Sequence, residues 1–303
     1  MAFLLILFYL FLGLGLQRIS GFSERFLTWI LKAVIWICLP ALALLKLPTL
    51  AIKWSSLLPV FTVWMSFGFA WLWAKFWQKK FKWNPQSLTC LALTMGLGNT
   101  SFLGFPLLIS LIGSEALPPA IVMDLAGSFL ILGTLGIFLL SKAKGQSRSG
   151  WELFKQLFQF PPFLAFLTGG AMLFMGVQLT GVLAALAEGI SALLSPLALV
   201  AVGLQLKQEK GRELKPLLWT GLSYKLLLAP SLSWITCLAF GVEPALLKII
   251  VLENAMGPMI TSALMAAEAE LNPALASQMV GVGIPLCLLS VPLWWMLLGA
   301  LGY

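Results

Sequence analysis

Apolar residues fill this chain in runs close to the length of about twenty that a helix needs to cross a hydrocarbon layer about 30 Å thick. Ten runs can be drawn, at 2–16, 26–45, 56–77, 87–111, 118–140, 162–178, 189–206, 216–239, 245–267 and 274–300, with polar residues gathered in the connections. Two of the runs are broken at their centres. Span 4 carries Gly98-Asn99-Thr100-Ser101, and span 9 carries Glu253-Asn254-Ala255-Met256-Gly257-Pro258. In hydrocarbon an unpaired N–H or C=O costs several kcal/mol, so a broken helix survives only where protein buries it or where it lines a watery cavity. Paired breaks at corresponding places in two halves of a chain point to a binding site near the membrane midplane.

Ten spans divide into five plus five, and an odd number per half turns the second copy upside down. The internal likeness agrees. Pro40-Ala41-Leu42-Ala43-Leu44 resembles Pro196-Leu197-Ala198-Leu199-Val200, Asn99 pairs with Asn254, and Pro119-Ala120 with Asp124 and Gly127 resembles Pro273-Ala274 with Gln278 and Gly281, all at offsets near 155 residues. The chain is therefore expected to be an all-α polytopic membrane protein built as an inverted repeat, residues 1–150 and then 151–303, with its seam near Gly150.

Composition agrees with a membrane setting: of the 303 residues 60% are hydrophobic and 10% charged, and the mean hydropathy is +0.98. The net charge of +8 is a topology signal, which removes the case for a nucleic-acid partner. Arg18, Arg25, Lys75, Lys79, Lys80, Lys82, Lys142, Lys144, Arg148, Lys155, Lys207, Lys210, Arg212 and Lys215 fall at alternate connections, against Lys46 and Lys53 in the opposite set. By the positive-inside rule both termini lie on the non-cytoplasmic side, in the plasma (inner) membrane. The first span lacks a positive n-region, and Arg18 follows it, so it reads as a retained helix rather than a signal peptide. The longest connection, from Ser141 to Pro162, is basic and carries Trp151, Phe154, Leu157, Phe158 and Phe160; it reads as a linker whose aromatic residues rest at the membrane surface.

Several chemistries are removed by absence. The chain has no histidine and a single aspartate, Asp124. An imidazole-activated nucleophile, an intramembrane aspartyl dyad and a haem or zinc site each need what is missing. Cys38, Cys90, Cys237 and Cys287 lie within spans without metal-ligand spacing and read as packing residues, so neither a cofactor nor a resident metal is expected.

What remains is the chemistry of the two breaks. Near Gly98 the helix should open, exposing the N-terminal end of the next half-helix, whose free N–H groups and positive dipole end favour an anion. In span 9, Gly257-Pro258 prevents regular hydrogen bonding, and Thr261 and Ser262 are placed to satisfy the freed groups. If the two segments cross, both positive ends meet and a carboxylate is held without a lysine. A simple kink is the alternative for either break alone. The candidate substrate residues are Gly98, Asn99, Thr100 and Ser101 from one half and Asn254, Gly257, Pro258, Thr261 and Ser262 from the other. Glu253, Asp124 and Lys225 are charged residues within spans and are the candidates for ion coupling. Glu253 would carry a proton or ligate sodium, with a structural pairing to Lys225 as the alternative; Asp124 and Lys225 are read first as a structural pair. Lys32 and Lys248 lie near span ends and receive no role.

Gly98-Asn99-Thr100 with Gly104-Phe105-Pro106-Leu107-Leu108, Pro196-Leu197-Ala198-Leu199 with Gly203, and Ala255-Met256-Gly257-Pro258 with Glu268, Asn272-Pro273 and Pro285 together resemble the auxin efflux carrier family, part of the larger group that includes the bile-acid/sodium symporters. The resemblance spans nearly the whole chain. It implies ten helices in which helices 4 and 9 cross, a mobile unit of helices 3–5 and 8–10, a scaffold of helices 1, 2, 6 and 7, and elevator-type export of a small organic anion. Asn99 matches the family's crossover asparagine. Gly98 and Gly257 stand where prolines are expected, and the plant carriers' long cytoplasmic loop is missing, which favours a small metabolite anion over auxin. A homodimer through a scaffold helix is also implied. A sodium-coupled importer of the bile-acid symporter type and an anion channel remain as alternatives.

Overall fold

The computed structural model describes residues 2–17, 23–49, 57–145, 158, 161–205 and 215–303. These are overwhelmingly helical: α1 (Ala2–Leu16), α2 (Phe26–Thr49), α3 (Leu58–Phe81), α4 (Pro85–Gly96), α5 (Thr100–Leu111), α6 (Ser114–Ala143), α7 (Pro161–Phe174), α8 (Gly181–Leu204), α9 (Lys215–Ala239), α10 (Pro244–Asn254), α11 (Ile260–Glu268) and α12 (Pro273–Ala300). Each apolar run of the sequence coincides with one of these helices or, for spans 4 and 9, with the pairs α4–α5 and α10–α11. Five helices, α2, α6, α8, α9 and α12, are each long and apolar enough to cross a membrane.

Several boundaries differ from the sequence expectation, and two of them show what sets them. Span 6 stops at Phe174 instead of 178, because Gly176 takes a left-handed φ of +66° that ends the helix. Span 7 begins at Gly181 instead of 189, directly after Thr180 at φ −133°, ψ 163°. Most of the Ser141–Pro162 connection, including Trp151, Phe154, Leu157 and Phe160, lies outside the described residues, and α6 runs on to Ala143.

Burial is concentrated on the interrupted elements. Residues 87–108 and 249–260 are buried without exception, while Trp29, Trp36, Phe61, Leu72 and Phe174 face outward. The breaks thus lie inside protein, as an interrupted helix in lipid must, and the outer surface is apolar enough to meet hydrocarbon.

The tightest helix crossing joins α1 to the C-terminal part of α8. A methyl group built on Gly13 would come 2.3 Å from the Val200 carbonyl oxygen, and one on Gly203 would come 2.3 Å from that of Leu10. Glycine at both positions lets the main chains touch, the close approach that small residues give to membrane helices. Gln17 completes the contact from the end of α1. Its Nε2 donates to the carbonyls of Gly203 at 2.8 Å and Leu204 at 2.7 Å, groups that a helix C-terminus leaves without intrahelical donors.

Several helices contain π-helical turns, at 34–38, 100–104, 123–129, 132–136 and 224–228. Three of them have one cause. Pro40, Pro106 and Pro230 follow two residues after the turn, and a proline ring cannot accept the carbonyl four residues back. The residue just before each proline instead reaches back five: Leu39 N to Val34 O, Phe105 N to Thr100 O, and Ala229 N to Tyr224 O. The carbonyl displaced by Pro230 is that of Leu226, and Trp294 Nε1 donates to it at 3.0 Å. At 123–129, Leu130 N bonds Leu125 and Gly127 and passes over Ala126, whose carbonyl accepts Trp64 Nε1 at 3.0 Å. Indole N–H groups thus satisfy carbonyls that hydrocarbon would penalise.

Candidate functional site

The two breaks lie against each other. Leu97 leaves α4 in an extended conformation (φ −107°, ψ 130°), and Met259 precedes α11 in one as well (φ −68°, ψ 122°). Asn99 N donates to Gly257 O at 2.8 Å and Met259 N to Leu97 O at 3.0 Å, an antiparallel bridge that pairs Gly98 with Pro258. Gly257 N donates to Cys287 Sγ of α12 at 3.0 Å. Asn99 N, Gly257 O, Met259 N, Leu97 O and Gly257 N are therefore met by the opposite break and by one thiol. The packing is close on both sides: a methyl group on Gly257 would press on Cys287 Cβ at 3.2 Å, and one on Gly283 would strike Pro258 Cδ at 2.6 Å.

Two helix N-termini start at this bridge, α5 at Thr100 and α11 at Ile260. Their first N–H groups have no acceptors within the helix and carry its positive end. Asn99 occupies the N-cap of α5, where a carboxamide ordinarily accepts from the first turn, yet it makes no such bond. It is 1% exposed, and among the described residues its Nδ2 has no hydrogen-bond partner.

Around the bridge stand the three charged residues singled out by the sequence, each almost fully buried. Asp124, on the π-helical turn of α6, accepts through Oδ1 from Thr100 Oγ1 and, at 3.1 Å, from Ser101 Oγ. Among the described residues, Asp124 Oδ2 and the hydroxyl of Ser128, one turn further along, have no partner. Glu253, at the end of α10, lays its carboxylate against Gly104: a methyl group there would sit 2.8 Å from Oε2 and 2.9 Å from Oε1. Neither oxygen is hydrogen-bonded to a described residue. Lys225, on the π-helical turn of α9, brings Nζ against Gly98, where a methyl group would lie 3.1 Å from it and 3.4 Å from the Glu253 carbonyl oxygen. Asp124 and Lys225 both lie within electrostatic reach of Glu253.

The sequence candidates divide by what they touch. Gly98, Asn99, Gly257 and Pro258 form the bridge, with Glu253 and Lys225 packed on it. The hydroxyls of Thr100 and Ser101 turn to Asp124, which replaces the expected Asp124–Lys225 pairing with a hydroxyl–carboxylate cluster. Asn254 Nδ2 donates to Ile250 O at 3.0 Å and to Thr62 Oγ1 of α3 at 3.3 Å, so its amide is turned to neighbouring helices. Ser262 Oγ donates back to Met259 O at 2.8 Å, a carbonyl that Ala263 N also reaches at 3.2 Å, while Thr261 is half-buried one residue earlier. Cys287, read as packing, is a backbone acceptor at the break. Thr62, Ser128 and Gly104 are further participants; only Gly104 lies in a motif the sequence made visible.

A chain of buried broken helices with unpartnered polar groups at their junction belongs to the class of integral membrane transport proteins. A sequence profile of the membrane transport protein family matches residues 1–295, and the chain belongs to that family, in agreement with the resemblance to the auxin efflux carriers. It is a family of transporters rather than enzymes. An uncharacterised transporter of Methanothermobacter thermautotrophicus is 29% identical over 206 residues, covering 67% of this chain and 66% of the relative. Another, of Methanocaldococcus jannaschii, is 26% identical over 228 residues, covering 72% and 71%.

Proposed function

We propose that this protein is a secondary transporter that exports a small organic anion, a carboxylate, which binds where the two broken helices cross. One observation carries the reading. The N-termini of α5 and α11 begin at a single backbone bridge, and the Asn99 carboxamide beside them is buried with its N–H₂ group unpartnered. Free backbone N–H groups and a positive dipole end are what an anion needs where a lone cation would be costly. A buried donor without a partner costs about 1–3 kcal/mol, which a bound carboxylate recovers.

The contacts assign roles. Asn99 and the first N–H groups of α5 and α11 hold the carboxylate. Asp124 fixes Thr100 and Ser101 so that the α5 N-terminus keeps its shape, and Asn254 and Ser262 do the same for the span 9 break. In this reading the ten spans form the 5+5 inverted repeat, and the unit containing both breaks slides against the α1, α2, α7 and α8 scaffold to alternate access. The close Gly13–Gly203 crossing, which joins the first scaffold helix to the last, suits a rigid frame. Glu253 is the coupling group, a proton carrier whose carboxylate faces no hydrogen-bond donor.

Thermal-shift screening of the purified protein against small carboxylates identifies the ligand. Asn99→Ala is expected to weaken binding of that carboxylate at least about tenfold, the loss of one charge-assisted hydrogen bond, while the ligand-free melting temperature stays put. Wild-type affinity in the variant defeats the assignment.

A further inference from the structure

We infer that the Lys225 ammonium is a tethered cation, held against Gly98 where a free monovalent cation would otherwise neutralise the crossing. This rests on the reading of the crossing as the transport site, and it adds what balances the charge there.

Negative charge gathers on one side of the bridge. Asp124 and Glu253 present between them three carboxylate oxygens without hydrogen-bond partners, and all lie in fully buried surroundings. The C-terminal end of α10 adds the negative pole of a helix within one residue of Glu253. Two carboxyl groups and a helix C-terminus packed together in a low-dielectric interior are costly wherever they are ionised without a counter-charge.

Lys225 is placed to be that charge. It is 2% exposed, and its Nζ rests on Gly98, which has no side chain to push it away. A methyl group at position 98 would press on it, standing 3.1 Å from Nζ. The turn that presents it is itself held. Pro230 forces the π-helical turn at 224–228, and Trp294 seals the carbonyl this frees, so the ammonium is delivered from a rigid element. An ammonium and a small monovalent cation make similar demands on carbonyl and carboxylate oxygens, and the tethered one needs no ion gradient to stay in place.

Removing the tether should open the place to a free cation. Purified wild type is expected to show no saturable rise in melting temperature when choline is replaced by sodium or methylammonium. Lys225→Ala is expected to gain such a rise, on the order of 5 °C, for at least one of these two cations. Lys225→Ala/Glu253→Gln should lose it again, and Lys225→Arg should behave as wild type. If Lys225→Ala unfolds in choline, its recovery in sodium or methylammonium is the same result. A folded Lys225→Ala that responds to neither cation overturns the inference, as does a wild type that sodium already stabilises saturably, or a variant that no cation recovers. These readouts use no organic anion, so they are separate from the carboxylate site. Loss of carboxylate binding in Asn99→Ala with no cation response in Lys225→Ala sinks only the tethered cation; the reverse pattern sinks only the anion site.

Discussion

Proteoliposomes carrying Glu253→Gln are expected to move the substrate carboxylate without responding to an imposed pH gradient, whereas wild-type accumulation follows that gradient. Glu253 is 1% exposed and both of its oxygens lack hydrogen-bond partners. A carboxylate in that setting is costly unless it is protonated or balanced, so its charge should change as the site opens to water on either side. Glutamine keeps the shape and removes the charge change. One proton per cycle corresponds to about a tenfold change in the steady-state substrate ratio per pH unit, equal to about 1.4 kcal/mol, and the variant should show none of it. A sodium gradient should leave both proteins unchanged, because Lys225 already supplies the monovalent charge. An unaltered pH response in Glu253→Gln removes the coupling role.

The second large effect is structural. Gly203→Val is expected to lower the melting temperature in detergent by roughly 10 °C, a loss of about 3 kcal/mol or more. The reason is the nature of the neighbour. A first side-chain carbon at 203 lands 2.3 Å from the Leu10 carbonyl oxygen and 2.9 Å from Gly13 Cα, both main chain, which no rotamer change relieves. The helices must separate, and Gln17 then loses its two carbonyl acceptors at the end of α8. Gly189, also on α8, has open space around it, and Gly189→Val should shift the melting temperature by only a few degrees through helix propensity. Equal losses at both positions would mean that the α1–α8 contact does not hold the scaffold.

Sequence reasoning reached the helices and the breaks because both are written in local chemistry. Twenty-residue apolar runs have one stable use, and Gly98-Asn99 and Gly257-Pro258 interrupt them with residues that cannot continue a buried helix unaided. The span limits failed where a backbone angle decided them: Gly176 ends α7 by taking a positive φ, and nothing in the surrounding hydropathy marks that choice. Side-chain direction was the larger gap. Asn99 and Asn254 each lie beside one of the two breaks, yet among the described residues one amide N–H₂ is unpartnered and the other is bound to Thr62 and Ile250, a difference set by what α3 brings alongside. Cys287 is 30 residues from the Gly257 N–H it accepts, so only tertiary packing joins them. The π-helical turns had a signal that the period of the apolar residues conceals. Pro40, Pro106 and Pro230 each sit inside a long apolar run, and each forces the preceding turn to widen; Lys225, which reaches Gly98, stands on the turn before Pro230.

The central claim is that a carboxylate sits at the junction of the two broken helices, and a density map of the protein bound to its stabilising carboxylate tests it most directly. The account predicts ligand density between the N-termini of α5 and α11, within hydrogen-bonding distance of the Asn99 amide, with the Leu97–Asn99 and Gly257–Met259 bridge intact. Density elsewhere, or unbroken helices through residues 97–99 and 255–259, would contradict it.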